Sequence, residues 1–129
     1  MYADKRSMPP ASLTEKIIGC AYEVGNVLGC GFLEKVYENA LAHELKRAGF
    51  EMLQQHPMTV YYDEVVVGEY IADLVVDERV LIELKALKAL DSVHVAQCIN
   101  YLKATGFPLC LLLNYGRPRV EIKRLVLTQ

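Results

Sequence analysis

Apolar and polar positions along the chain follow two different periods. Ile17, Ala21, Val24 and Leu28 recur at helical spacing, and Gly29-Cys30-Gly31 stops the run. Ser12, followed three residues later by Glu15, has the form of a reciprocal capping box and predicts where this helix starts. A second helix is expected from about Phe32 to Ala48, with Leu33, Val36, Ala40, Leu41 and Leu45 on its apolar stripe and Gly49 as its stop. The pattern then shortens. Met58 to Tyr62 and Val65 to Val67 flank the polar Asp63-Glu64 and predict a hairpin. Glu69 to Val76 and Arg79 to Ala86 read as strands around a polar turn at Asp77, Glu78 and Arg79. Asp91 or Ser92 can cap a third helix that reaches about Thr105, with Gly106 beyond it. Leu109 to Asn114 is almost wholly apolar, as expected of a strand buried on both faces, and Val120 to Leu127 is a last strand after Gly116-Arg117-Pro118. The order α-α-β-β-β-α-β-β describes an α/β sandwich with a mixed sheet and helices packed on it.

Length and composition narrow this further. A chain of 129 residues supports one core, so residues 12–129 are expected to form a single domain behind a loose tail at residues 1–11. No apolar run approaches the roughly 20 residues of a membrane span. The start carries Asp4, Lys5 and Arg6 and lacks a signal-peptide core, which points to a cytoplasmic protein. Cys20, Cys30, Cys98 and Cys110 show no C-x-x-C spacing and read as reduced thiols rather than a zinc site. A net charge of −2 gives no support to bulk nucleic-acid binding, so any such role rests on a local patch.

The chemistry concentrates on the strands around Asp77. Alternation puts Leu81, Glu83 and Lys85 on one face of their strand, and Ile71, Asp73 and Val75 on one face of the preceding strand. A three-residue turn at Asp77, Glu78 and Arg79 pairs Val76 with Val80, Val75 with Leu81, and Asp73 with Glu83. A one-residue change in that turn would put the acids on opposite faces. Opposed carboxylates among apolar neighbours repel and are costly to desolvate. A hard divalent cation such as Mg²⁺ would offset this, with Lys85 beside it to stabilise developing charge. A shared proton, or a salt bridge to Lys85, would offset it equally well.

Asp73 followed by Glu83-Leu84-Lys85 resembles the D…(D/E)-x-K signature of the PD-(D/E)XK nuclease superfamily. Residues 13–127 resemble one branch in particular, the GxxExxY family of small bacterial proteins. Its motif stands here as Gly31-Phe32-Leu33-Glu34-Lys35-Val36-Tyr37, with further matches at residues 68–73, 97–102 and 121–124. The resemblance implies a restriction-endonuclease-like αβββαβ core, with Asp73, Glu83 and the Leu84 carbonyl on Mg²⁺ or Mn²⁺. It also implies Lys85 as the catalytic lysine and Glu34 as a supporting acid at the metal. Ala72 stands where the superfamily's name has Pro, which is not a ligand.

Several neighbours have two readings. Glu34 is also a first-turn acid that complements a helix dipole, and Glu38 one turn later could take its place. His94, Gln97 and Tyr101 share one stripe of the third helix. Gln97 and Tyr101 are expected to hold the lysine or a phosphate, and the stripe could equally be a solvated face. Arg117 and Arg119 flank a turn where phosphates could meet them, and Tyr61, Tyr62 and Tyr115 could stack on bases or pack in the sheet. The reading is a metal-dependent nuclease that hydrolyses DNA, with RNA as second choice, through a metal-activated water. A small domain without a target-reading module would act with a second copy or a protein partner. The rival is a module that keeps the nuclease fold, binds nucleic acid or a protein, and does not cut.

Overall fold

The computed structural model describes residues 8–127, so most of the expected tail at residues 1–11 lies outside the described residues. Helix α1 (Ala11–Leu28) and helix α2 (Glu34–Arg47) precede strands β1 (Met52–Tyr62), β2 (Val65–Val76) and β3 (Val80–Lys85). Helix α3 (Ser92–Thr105) then leads to β4 (Leu109–Asn114) and β5 (Glu121–Leu125). The five strands lie in the order β1-β2-β3-β4-β5. All neighbours are antiparallel except β3 and β4, which α3 joins as a parallel crossover. Among the described residues, no helix is long and apolar enough to cross a membrane.

The two faces of the sheet carry separate cores. Ile17, Ala21, Val24, Leu41 and Leu45 of α1 and α2 pack on Val80, Ile82, Leu84, Leu111 and Leu113. On the other face Cys98, Tyr101 and Leu102 of α3 pack on Val75, Leu81, Cys110 and Leu112. Every residue of β4 is buried, in keeping with its continuous apolar run.

Three expected boundaries move. The helix α1 begins at Ala11 with Pro10 as its cap residue, so Ser12 lies inside the first turn and caps nothing. The Pro10 carbonyl accepts the N–H groups of Leu13 and Thr14, which takes over the role assigned to Ser12. Strand β1 starts at Met52, ahead of the expected Met58, despite Gln54, Gln55, His56 and Pro57. It is an edge strand, where a proline without an N–H is tolerated. The two expected runs from Val65 and from Glu69 fuse through Gly68 into one strand, β2.

One polar staple fixes the end of β3. Asn114 is fully buried; its amide donates to the Leu87 carbonyl at 3.0 Å and to Glu121 at 2.9 Å. Its Oδ1 accepts from Leu87 N–H at 2.9 Å and Gly116 N–H at 3.1 Å. Tyr115 N–H also donates to the Lys85 carbonyl at 2.8 Å. Gly116 crosses Leu87 so closely that an added Cβ would stand 2.0 Å from the Leu87 oxygen. We therefore expect Gly116→Ala to lose about 3 kcal/mol or more in urea unfolding, because backbone must move. Gly19→Ala, whose Cβ meets nothing within 4 Å on α1, should instead gain up to about 1 kcal/mol. Equal effects at the two sites would show that the crossing is not tight.

Candidate active site

The turn between β2 and β3 spans Asp77, Glu78 and Arg79, so Val76 pairs with Val80, Val75 with Leu81, and Leu74 with Ile82. Asp73 and Glu83 come next in that register, but there the ladder ends. In its place the two acids bond reciprocally to backbone. Asp73 N–H donates to Glu83 Oε2 at 2.9 Å, and Leu84 N–H donates to Asp73 Oδ2 at 2.9 Å. The strands diverge at this point, and the carboxylates stand in the gap.

The opposite side of β2 is irregular at the same level. Gln54 pairs with Leu74 and His56 with Ala72, while Gln55, opposite Asp73, is skipped. Gln55 has φ of 57°, a left-handed backbone that a non-glycine residue seldom adopts. Both Gln54 and Gln55 reach Glu38 on α2, so two consecutive strand residues point the same way although the register on either side is kept. On β2, Ala72 and Val75 both join the α3-side core although an odd number of positions separates them. The expected alternation of Ile71, Asp73 and Val75 on one face therefore lapses at Asp73.

The electrostatics follow from this placement. Burial pushes Glu83 up to about 8, and the like charge of Asp73 adds to it; the Asp73 N–H and Lys85 act against the rise. Asp73 is also raised, chiefly by burial, while the Leu84 N–H holds it down. Both acids are thus biased toward holding a proton, the more buried Glu83 the more strongly. Among the described residues neither acid forms an ion pair with Lys85. A salt bridge to the lysine, one of the two plain readings, is absent among the described residues.

Helix α2 contributes Glu34 from its first residue. Glu34 is raised by burial and then by Asp73, while Lys85 lowers it, so its carboxyl shares a field with the strand residues. The loop before it is strapped by Tyr37, whose hydroxyl donates to the Gly29 carbonyl at 2.6 Å and accepts Phe32 N–H at 3.2 Å. Gly31 takes φ of 113°, which suits glycine alone. The Gly31, Glu34 and Tyr37 of the motif therefore divide into a turn, an acid and a strap. Glu38 is no substitute for Glu34. It is 2% exposed and spends its oxygens on Lys35, Gln54 and Gln55. Burial would raise it, but these hydrogen bonds together hold it below the usual carboxylate value.

Helix α3 closes the other side. Tyr101 is buried, its ring centroid 5.4 Å from that of Tyr70, and burial followed by the Glu83 charge raises its hydroxyl pKa. Gln97 is half-buried one turn earlier and bonds to neither acid nor Lys85 among the described residues. His94 is accounted for by structure: its Nδ1 accepts Asp91 N–H at 3.1 Å in the capping box of α3. Tyr115 is also removed from the surface, stacked on Tyr37 at 4.6 Å with its hydroxyl on the Ala21 carbonyl. Arg117 and Arg119 are exposed on the turn from β4 to β5.

Comparison with known proteins decides the family. The PD-(D/E)XK nuclease superfamily matches residues 11–125. The chain belongs to that superfamily. No curated protein sequence matches it. Among solved structures, an alkaline exonuclease from Laribacter hongkongensis is similar at a TM-score of 0.54 and 12% identity, over 95% of this chain and 73% of that one. The likeness extends to the fold, and the mixed five-stranded sheet with its helices is the restriction-endonuclease-like arrangement.

As a PD-(D/E)XK domain the chain offers a hard-oxygen donor set. Asp73 and Glu83 each have one carboxylate oxygen beyond those bonded to backbone, and Leu84, whose carbonyl could join them, follows Glu83 directly in sequence. Among the described residues no three Asp, Glu, His or Cys side chains already converge to hold a metal. Two carboxylates and a carbonyl fit Mg²⁺ or Mn²⁺, which keep several waters, and do not fit zinc. Sequence reasoning missed Gln54, Gln55 and Asn114. The polar end of an apolar strand was a signal for Asn114, while nothing marks a glutamine for left-handed backbone.

Glu83 makes the metal-free domain sensitive to alkali. Folded, it keeps its proton to about pH 8, whereas its ordinary value is 4.5. Between these values the folded state binds the extra proton, so its contribution is present at low pH and lost as pH rises through about 8. Urea midpoints measured in chelator should fall from about pH 5 to about pH 9, by at most about 1.4 kcal/mol per unit. Glu83→Gln should flatten that slope; an unchanged slope would exclude Glu83 as its source.

Proposed function

We propose that this domain hydrolyses phosphodiester bonds of DNA, and RNA less readily, with Mg²⁺ or Mn²⁺ held by Asp73, Glu83 and the Leu84 carbonyl. The observation that carries the reading is the pair of carboxylates in the gap between β2 and β3, bonded to backbone and unpaired with Lys85. Membership of a nuclease superfamily supports it, and so does the fold shared with a protein described as an exonuclease. The Gly31 to Tyr37 motif supports reading the chain as a member of the GxxExxY branch.

The metal supplies Lewis-acid polarisation of the phosphoryl group and neutralises its charge. The residues supply the rest. Lys85 leaves the end of β3 with no carboxylate bound, so its ammonium is available to negative charge that develops on phosphorus oxygens. Its backbone is held by Tyr115 and, through Leu87, by Asn114, which fixes the reach of the side chain. Asp73 and Glu83 must be deprotonated to bind the cation, which makes metal affinity rise with pH. Glu34 and Tyr101 flank the gap from α2 and α3, and Gln97, one turn before Tyr101 on the same helix, is the residue we assign to a phosphate.

The alternative is a nuclease-fold module that does not cut. It draws on the lack, among the described residues, of a third side chain in the metal-holding group. Calorimetric titration with Mn²⁺ separates the two. We expect wild-type binding that is lost in Asp73→Asn and Glu83→Gln. Single-stranded DNA, duplex DNA and RNA should then be assayed with Mg²⁺ or Mn²⁺. Lys85→Ala should fold and bind metal, yet cleave roughly 10²-fold more slowly or worse. Wild type that binds Mn²⁺ but cuts none of these substrates would leave the module; failure to bind the ion would remove both metal and cutting.

A further inference from the structure

Strands β1 and β2 stay paired well beyond the level at which β3 leaves them. From His56 opposite Ala72 to Tyr62 opposite Val65 they form a two-stranded ribbon. Such a ribbon is marginal by itself in water. This one is also apolar on both faces: Tyr61, Tyr62, Val65, Val66, Val67 and Ile71 are all exposed, from 41% to 67%. The base of the ribbon is anchored, with Met58 and Ala72 buried in the α3-side core and Tyr70, though well exposed, against Tyr101. A concavity of about 850 Å³ lies at the ribbon's tip, away from the carboxylate gap.

We propose that the ribbon binds a second copy of this chain about a two-fold axis near Val67. Its exposed apolar side chains offer on the order of 700 Å² over the two faces together, close to the share each partner gives to a stable interface, and pairing edge to edge would continue both faces into those of the partner. A nucleic acid is a poor occupant. There is no lysine or arginine between Arg47 and Arg79, whereas the ribbon carries Asp63, Glu64 and Glu69. Phosphates would be repelled there.

A second copy fits on two counts. From Val65 to Ile71 the side of β2 away from β1 has no strand partner among the described residues, and an antiparallel edge is self-complementary across a two-fold axis. Valine at the axis also keeps the acids apart. With Val67 opposite the partner's Val67, Glu64 falls opposite the partner's Tyr70, and Glu69 falls opposite the partner's Val65. No carboxylate meets another, so the pairing avoids like-charge repulsion. The association is independent of whether the carboxylate gap cuts.

Sedimentation velocity of the full chain over a dilution series tests this. We expect a species of twice the chain mass that dissociates on dilution. The double variant V65K/V67K, which places four ammonium groups around the axis, should weaken it at least tenfold. Its melting at low concentration should stay unchanged, because both positions are exposed. Val27→Lys, at an apolar residue of α1 that is 72% exposed, should leave the dimer intact. A wild type that stays monomeric at every concentration overturns the proposal. So does a dimer weakened by Val27→Lys and untouched by V65K/V67K. Oligonucleotide binding by a monomer that is lost in V65K/V67K would assign the ribbon to nucleic acid and overturn it too.

Discussion

A buried carboxylate beside a half-buried one cannot ionise cheaply, and much of this domain is arranged around that constraint. The backbone N–H groups of Asp73 and Leu84, which would otherwise be open where β2 and β3 part, each find a carboxylate oxygen. The arrangement satisfies backbone and acids at once. It also explains why the ladder stops at Leu74 and Ile82: a further cross-strand pair would take the donors the acids require. The left-handed backbone at Gln55, the residue across β2 from Asp73, interrupts the pairing at the same level.

Around this gap the domain separates residues that carry charge from residues that hold them. Glu38 looks like a functional acid by sequence spacing, yet its oxygens are consumed in tying α2 to Gln54 and Gln55 of β1. Tyr37 has a comparable holding role, with its ring on Tyr115 and its hydroxyl in the loop that leads to Glu34. Glu34 itself remains outside these bonds, exposed and within the field of Asp73 and Lys85. On the opposite face Tyr101 brings an apolar wall against Glu83, which is part of why that acid holds its proton.

The order of elements and the register of β2 against β3 were legible in the sequence, because hydrophobic period and a polar three-residue turn determine both. Asp73 and Glu83 could be placed together from that turn alone. Other features escaped for physical reasons. The start of α1 depends on the Pro10 carbonyl rather than on a side chain, so the Ser12 pattern misled. The first half of β1 is polar because its partners are Glu38 and the solvent at a sheet edge, and neither leaves a local signal. His94 sits on the stripe of Gln97 and Tyr101, yet the nearest unsatisfied donor was one turn back, at the helix cap. Local competition for hydrogen bonds decided each of these positions.

The staple between Asn114, Gly116 and Leu87 sets the order in which the site can mature on the ribosome. Both acids and Lys85 are synthesised before α3, but the parallel partner of β3 and the clamp on its exit loop arrive only with β4 and the turn after it. Parallel pairing of this kind closes late, since the crossover must be complete first. A nascent chain that ends within α3 thus carries the reactive side chains without the frame that aims them. The chain's last quarter is what turns a set of residues into a site.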